Sequence, residues 1–151
     1  MVIYTRRRQA KSQNKENSIF DNDYENNYEI RKKQQIFIDK AAEIAKYSTM
    51  QQKHGAVIVH KNKIIAYGFN YMNSHLNDNH SIHAEVAAIC QVFKNKEILD
   101  ECDIYVVRIA SAKFDNCLKM SKPCEKCTSF INKYNIRRTY YSTNYEFDIK
   151  Y

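Results

Sequence analysis

A three-layer α-β-α sandwich around one mixed sheet is the fold that three features of this 151-residue sequence predict. Apolar residues recur at helical spacing in three separate segments. β-rich runs alternate with those segments after residue 55, the pattern of helices laid on a sheet. Asp103-Ile104-Tyr105-Val106-Val107-Arg108-Ile109 is apolar at consecutive positions, as expected of a strand covered on both faces.

The elements follow in order. Residues 1–28 are rich in Asn, Lys, Arg, Glu and Ser with few apolar anchors, and read as a disordered tail before a domain at 29–151. From Ile30 to Tyr47, apolar residues at Ile36, Phe37, Ala41, Ile44 and Ala45 predict a helix. Ala56–Val59 and Ile64–Phe69 predict a hairpin closed by Lys61-Asn62-Lys63, although this is not the preferred Asn-Gly turn. Tyr71–Ser81 is a polar connection. A second helix is expected over Ile82–Phe93, a covered strand over Asp103–Ile109, a third helix after Pro123, and a last strand over Ile136–Ser142.

A chain of this length makes one domain with a core that needs no disulfides. Five cysteines is an odd number, and Cys90, Cys102 and Cys117 read as core or surface thiols. No apolar leader and no run of about 18 apolar residues is visible, so no membrane partner and an intracellular, cytoplasmic or nuclear setting are expected. The net charge of +7 is divided as +3 over residues 1–33 and +4 over the rest. So diffuse a charge permits phosphate partners without requiring them. Arg6-Arg7-Arg8 reads as part of a solvated tail, with contact to nucleic acid as the alternative.

The chemistry sits in His83-Ala84-Glu85 and Pro123-Cys124-Glu125-Lys126-Cys127. Together they supply one imidazole, two thiols and a carboxylate. Three N/S ligands leave a fourth position of a tetrahedral zinc open, as in catalytic sites. A carboxylate two residues from the imidazole is placed to handle the protons of a water there. Pro123 suits the first position of a helix, and thiolates at a helix start gain from its dipole. A Cys-x-x-Cys pair alone also fits half of a structural zinc site or a redox pair. The structural site lacks its second ligand pair in this sequence.

The combination His-x-Glu then Pro-Cys-x-x-Cys resembles the zinc-dependent cytidine deaminase-like superfamily. That group includes deoxycytidylate deaminases, tRNA adenosine deaminases and APOBEC-type enzymes. The resemblance extends over about residues 34–143. Gly55–Val59 is similar to the family's first core strand, and Gly68-Phe69-Asn70 to the end of its second. It implies His83, Cys124 and Cys127 as ligands of one Zn2+ per chain, Glu85 as proton shuttle, and Asn70 and Ala84 as substrate contacts. Histidine in the first motif is similar to the deoxycytidylate, tRNA and APOBEC branches. The implied reaction is hydrolytic deamination of a nucleobase, with cytosine in a nucleotide or single-stranded nucleic acid favoured. A tRNA adenosine deaminase-like editing enzyme and a catalytically silent zinc-bearing binding subunit are the alternatives.

Two departures stand out. Thirty-seven residues separate Glu85 from Pro123, because Ala110–Lys122 intervenes where the family passes almost directly to its cysteines. Both ends of that insert are expected near the metal. It reads as a hairpin carrying Lys113, Lys119 and Lys122 toward a substrate phosphate, or as a passive loop. The chain also ends soon after its last strand, so a homo-oligomer is expected to complete the site. Among other residues, His54 and His80 are candidate substrate contacts, Tyr71 a candidate stacking residue, His60 a solvated turn residue, and His75 a flank of the polar connection. Tyr140-Tyr141 reads as packing.

Overall fold

The computed structural model describes residues 3–7, 23–73 and 80–143. The elements are β1 (Ile3–Arg7), α1 (Asp23–Ala45), β2 (Lys53–His60), β3 (Lys63–Phe69), β4 (Tyr71–Met72), β5 (Ser81–Ile82), α2 (Ala84–Gln91), β6 (Asp103–Ile109), β7 (Leu118–Lys119), α3 (Glu125–Lys133) and β8 (Arg138–Ser142). Turns of 3₁₀ helix lie at Phe93–Glu101 and Ala112–Phe114. The main sheet runs β1-β8-β6-β2-β3, with β7 paired to the end of β6. β6 and β8 are parallel and the other pairs antiparallel, so the sheet is mixed as expected.

Side-chain alternation along the strands divides the core into two layers. Ala56, Ile58, Ile104 and Val106 face Ala84, Ala88 and Ile89 of α2 and Ile131 of α3. Val57, Val59, Tyr105, Val107 and Ile109 face Phe37, Ile38, Ala41, Ile44 and Ala45 of α1. This is why β6 is apolar at consecutive positions: each face meets a different helical layer. Tyr140 lies in the α1 layer, its ring 4.5 Å from that of Tyr105 and almost parallel to it. Tyr141 packs on the opposite layer, so the tyrosine pair serves packing.

The chain has two glycines, and each lies where a helix backbone touches the sheet. A Cβ on Gly55 would lie 2.1 Å from the carbonyl oxygen of Ala41 in α1. A Cβ on Gly68 would lie 2.4 Å from the Ala88 nitrogen and 2.6 Å from the Ala84 oxygen in α2. Neither glycine has a positive φ. Space, not backbone freedom, fixes their identity.

The β2–β3 turn is a two-residue loop, since Lys63 pairs with His60. Lys61 and Asn62 both have positive φ, 47° and 64°, the backbone of the mirror-image turn that matches strand twist. His60 is not simply solvated there; its Nε2 lies 3.0 Å from Glu101. At the β3 edge, the Tyr67 N–H donates to the Gln91 side chain at 3.3 Å.

Several boundaries differ from those the sequence predicts. Of the expected tail over 1–28, Ile3–Arg7 instead pairs antiparallel with β8, Ile3 opposite Ser142 and Arg7 opposite Arg138. α1 begins at Asp23. Residues 8–22, 74–79 (with His75) and 144–151 lie outside the described residues, as does the Arg8 end of the basic run. β1 takes the side of β8 that β6 leaves open, a pairing no local pattern announces. The helix expected over Ile82–Phe93 is shorter, and Phe93–Glu101 continues as 3₁₀ turns broken at Asn95. Ala110–Lys122 is a hairpin: Ile109 pairs with Leu118 and the Ala110 N–H donates to the Cys117 carbonyl at 2.9 Å. Its tip turns through two left-handed residues, Asp115 and Asn116.

Candidate active site

Two helix N-termini meet at the site. His83 is the N-cap of α2 and Cys124 the N-cap of α3, both with extended backbone. Pro123 therefore precedes the cap and does not occupy the first helical position. Neither N-cap side chain hydrogen-bonds its own helix. Instead, His83 Nδ1 lies 3.6 Å from Cys124 Sγ and 3.2 Å from Cys127 Sγ. The three donor atoms all lie within 4.8 Å of one another. For tetrahedral zinc with Zn–S of about 2.3 Å and Zn–N of about 2.0–2.1 Å, N···S separations of roughly 3.6 Å follow. The donors fit that ion in type and in spacing. The orphan N–H groups of both helix starts add positive potential, which suits thiolates.

Glu85, on the first turn of α2, is buried at 5% exposure. Burial pushes its carboxyl pKa up, while its own backbone N–H, His83 and the Cys127 thiol pull it back. Burial also pushes the Cys127 thiol up, with Glu85 and Cys124 adding to the rise. A bound cation reverses that preference by stabilising the thiolate.

A cavity of about 430 Å³ opens beside these groups, large enough for a small-molecule ligand. It is lined by His83, Ala84, Glu85 and Cys124 and by Met50, Gln51, Gln52, His54 and Asn70. Asn70 braces the segment from Gln52 to His54. Its Oδ1 accepts from the His54 N–H at 2.8 Å, its Nδ2 donates to the Gln52 carbonyl at 2.7 Å, and Ser48 Oγ donates to its carbonyl at 2.8 Å. The His54 ring is half-buried, which lowers its pKa. Its Nδ1 lies 3.4 Å from the Gln52 carbonyl.

Of the sequence candidates, Asn70, Ala84, Glu85, His83, Cys124, His54 and Lys122 line this cavity. His80 does not; it lines a neighbouring cavity of about 440 Å³ with Val86, Lys126 and Phe130. Tyr71 packs edge-on against Phe69 at 6.2 Å, away from the lining. Lys113 and Lys119 also lie outside it, so the hairpin presents one lysine to the cavity and not three.

Sequence reasoning missed Ser121 and Ser142. Ser121 Oγ donates to the Val106 carbonyl at 2.8 Å and lies 2.9 Å from both Ser142 Oγ and the Ser142 nitrogen. Ser142 Oγ donates to the Lys119 carbonyl at 2.7 Å. The pair ties the hairpin's return to β6 and β8 immediately before Cys124. Small serines in polar stretches carry no signal that would have singled them out.

The sequence model of the cytidine and deoxycytidylate deaminase zinc-binding region matches residues 31–143. Solved structures share the fold. The dCMP deaminase of cyanophage S-TIM5 is 21% identical with a TM-score of 0.54, over 70% of this chain and 78% of its own. A cytidine deaminase from Burkholderia pseudomallei is 19% identical with a TM-score of 0.52, over 67% and 76%. A guanine deaminase from Bacillus subtilis is 25% identical with a TM-score of 0.51, over 72% and 63%. No curated protein matches the sequence. With the match spanning most of the chain, this protein belongs to the cytidine and deoxycytidylate deaminase zinc-binding family, the zinc-dependent hydrolytic deaminases.

Proposed function

We propose that the chain removes the exocyclic amine of a nucleobase, with cytosine in a nucleotide or nucleic acid as substrate, giving the keto base and ammonia. The observation that carries this reading is the buried carboxylate of Glu85 on the wall of the cavity that His83 and Cys124 also line. His83, Cys124 and Cys127 hold one zinc per chain. Zinc there supplies a Lewis acid that lowers the pKa of a water to about 7.

Glu85 does the proton work. Its carboxylate takes a proton as a water oxygen adds to C4 of the ring, and passes it to N3. It then carries the remaining hydroxyl proton to the amine nitrogen, the C4–N bond breaks, and ammonia leaves. Burial, which raises the carboxyl's affinity for a proton, supports a group that must hold one between two transfers. Ala84 and Asn70, both on the cavity lining, contact the base and its sugar, Asn70 also holding Gln52 and His54 in place. Exposed Ile65, Tyr67, Tyr71 and Met72 on and just beyond edge strand β3 support assembly of copies, which the mass in solution tests.

The test is ammonia release from a panel of bases, nucleosides, nucleotides and single-stranded oligonucleotides. Glu85→Gln should lose turnover and keep its zinc by elemental analysis; Cys124→Ala and Cys127→Ala should lose zinc. Release from adenine substrates alone would replace cytosine by adenine. A zinc-loaded chain that deaminates nothing in the panel would be a binding subunit.

A further inference from the structure

The hairpin of residues 110–122 ends on Lys122, among the described residues the one lysine that lines the cavity. We infer that Lys122 is the specificity-determining residue that selects substrates bearing a phosphate near the base, an inference that rests on the deaminase reading above. Four observations converge on it.

Lys122 lines the cavity with Ser121 on one side of it in the chain and, past Pro123, the metal-site residue Cys124 on the other. Its backbone is fixed from both directions. Ser121 is 3% exposed, its N–H donating to the Ser142 carbonyl at 2.9 Å and its Oγ donating to Val106 at 2.8 Å. Pro123 follows with φ locked by its ring. An exposed lysine tethered in this way loses less freedom on gripping a ligand than one on a free loop.

Lys122 has no carboxylate partner among the ion pairs of the described residues. Among the described residues, the only carboxylate in the cavity lining is that of Glu85, which is buried. The lining also holds the neutral amides of Gln51 and Gln52. A cavity whose described lining holds one lysine, neutral amides and no exposed carboxylate favours an anion on the ligand. Two residues span at most about 7 Å of chain. Lys122 thus lies within one side-chain length of the metal-site cysteine, at the range of a phosphate one sugar away from a base held beside Glu85.

The same chemistry has two sources, a free nucleoside monophosphate or the backbone of a single strand. The experiment separates them. Ammonia release, and equilibrium binding by calorimetry in a Glu85→Gln background that does not turn over, are measured for a nucleoside, its 5′-monophosphate and a short single-stranded oligonucleotide, with the native Lys122, Lys122→Gln and Lys122→Arg. Wild type should prefer a phosphorylated ligand by about tenfold, the size of one charge-assisted hydrogen bond. Lys122→Gln should bring the ratio of phosphorylated to unphosphorylated affinity close to one, and Lys122→Arg should restore most of it. Wild-type preference should also shrink with added salt. Loss confined to the monophosphate names the free nucleotide as source; loss confined to the oligonucleotide names the strand. A ratio unchanged by Lys122→Gln, or an equal loss for all three ligands, overturns the inference. Calorimetry reads the preference without turnover, so failure of Lys122 selectivity and failure of the deaminase reading are distinguishable.

Discussion

Gly68→Ala is expected to damage stability and the site together. The added Cβ would lie 2.4 Å from the Ala88 nitrogen and 2.6 Å from the Ala84 oxygen, where ordinary contact begins at 3.4 Å. The atoms it meets are helix backbone and cannot rotate away, so α2 must retreat by about 1 Å. Ala84, Ala88 and Ile89 are fully buried, so retreat loosens the packing of this layer against the sheet. Overpacking of this kind costs about 1–3 kcal/mol, and the clash with backbone argues for the upper end. The retreat also carries His83 and Glu85, which flank Ala84. A misplacement of about 1 Å can lower catalysis roughly 100-fold. Urea unfolding of the zinc-loaded protein measures the first effect; zinc affinity and kcat/KM under fully folding conditions measure the second. A wild-type urea midpoint would refute the packing argument. A destabilised protein with unaltered zinc affinity and turnover would refute the link from β3 to the site.

Removing residues 1–8 deletes β1 and bares the β8 edge, so a lower melting temperature and some self-association are expected by calorimetry and light scattering; an unchanged melting curve would show that β8 does not depend on β1. Arg137→Ala leaves the buried Asp103 carboxylate without the two contacts it receives, at 2.9 and 3.1 Å, and should cost about 1.5–3 kcal/mol in urea, whereas a cost under about 0.5 kcal/mol would mean that water replaces the guanidinium. His54 supplies a pH test: burial lowers its folded pKa below the ordinary 6.5. As pH falls through 6.5 the unfolded chain gains the proton first, so stability drops with acidity over that window. His54→Gln should therefore gain on wild type between pH 8 and pH 5 in paired urea titrations; a constant difference across that range would contradict the assignment.

The parts of this molecule that are legible in the sequence are those with a local signature. β6 announces itself because both of its faces are apolar, and the two motifs because metal and proton chemistry demand particular side chains at short spacing. Non-local matters are hidden. β1 pairs with a strand about 130 residues away, and its own composition resembles that of a solvated tail. The two glycines give no hint of which helix they admit. Serines 121 and 142 become a unit only when β6, β7 and β8 assemble around them. The hairpin at 110–122 is legible as one of two alternatives, but which of its three lysines lines the cavity depends on the strand register.

The pairing of β1 with β8 has a consequence for biogenesis. Among the described residues, β1 is hydrogen-bonded only to β8, which is made some 130 residues later. At about 5–20 residues per second, some 130 residues of synthesis leave it without a partner for roughly 7–26 seconds. During that interval α1 and the β2–β3 hairpin can form without it, and closure of the sheet becomes a late step. A nascent chain arrested before residue 138 would hold an unsatisfied strand, and such a chain is what chaperones that bind extended segments recognise.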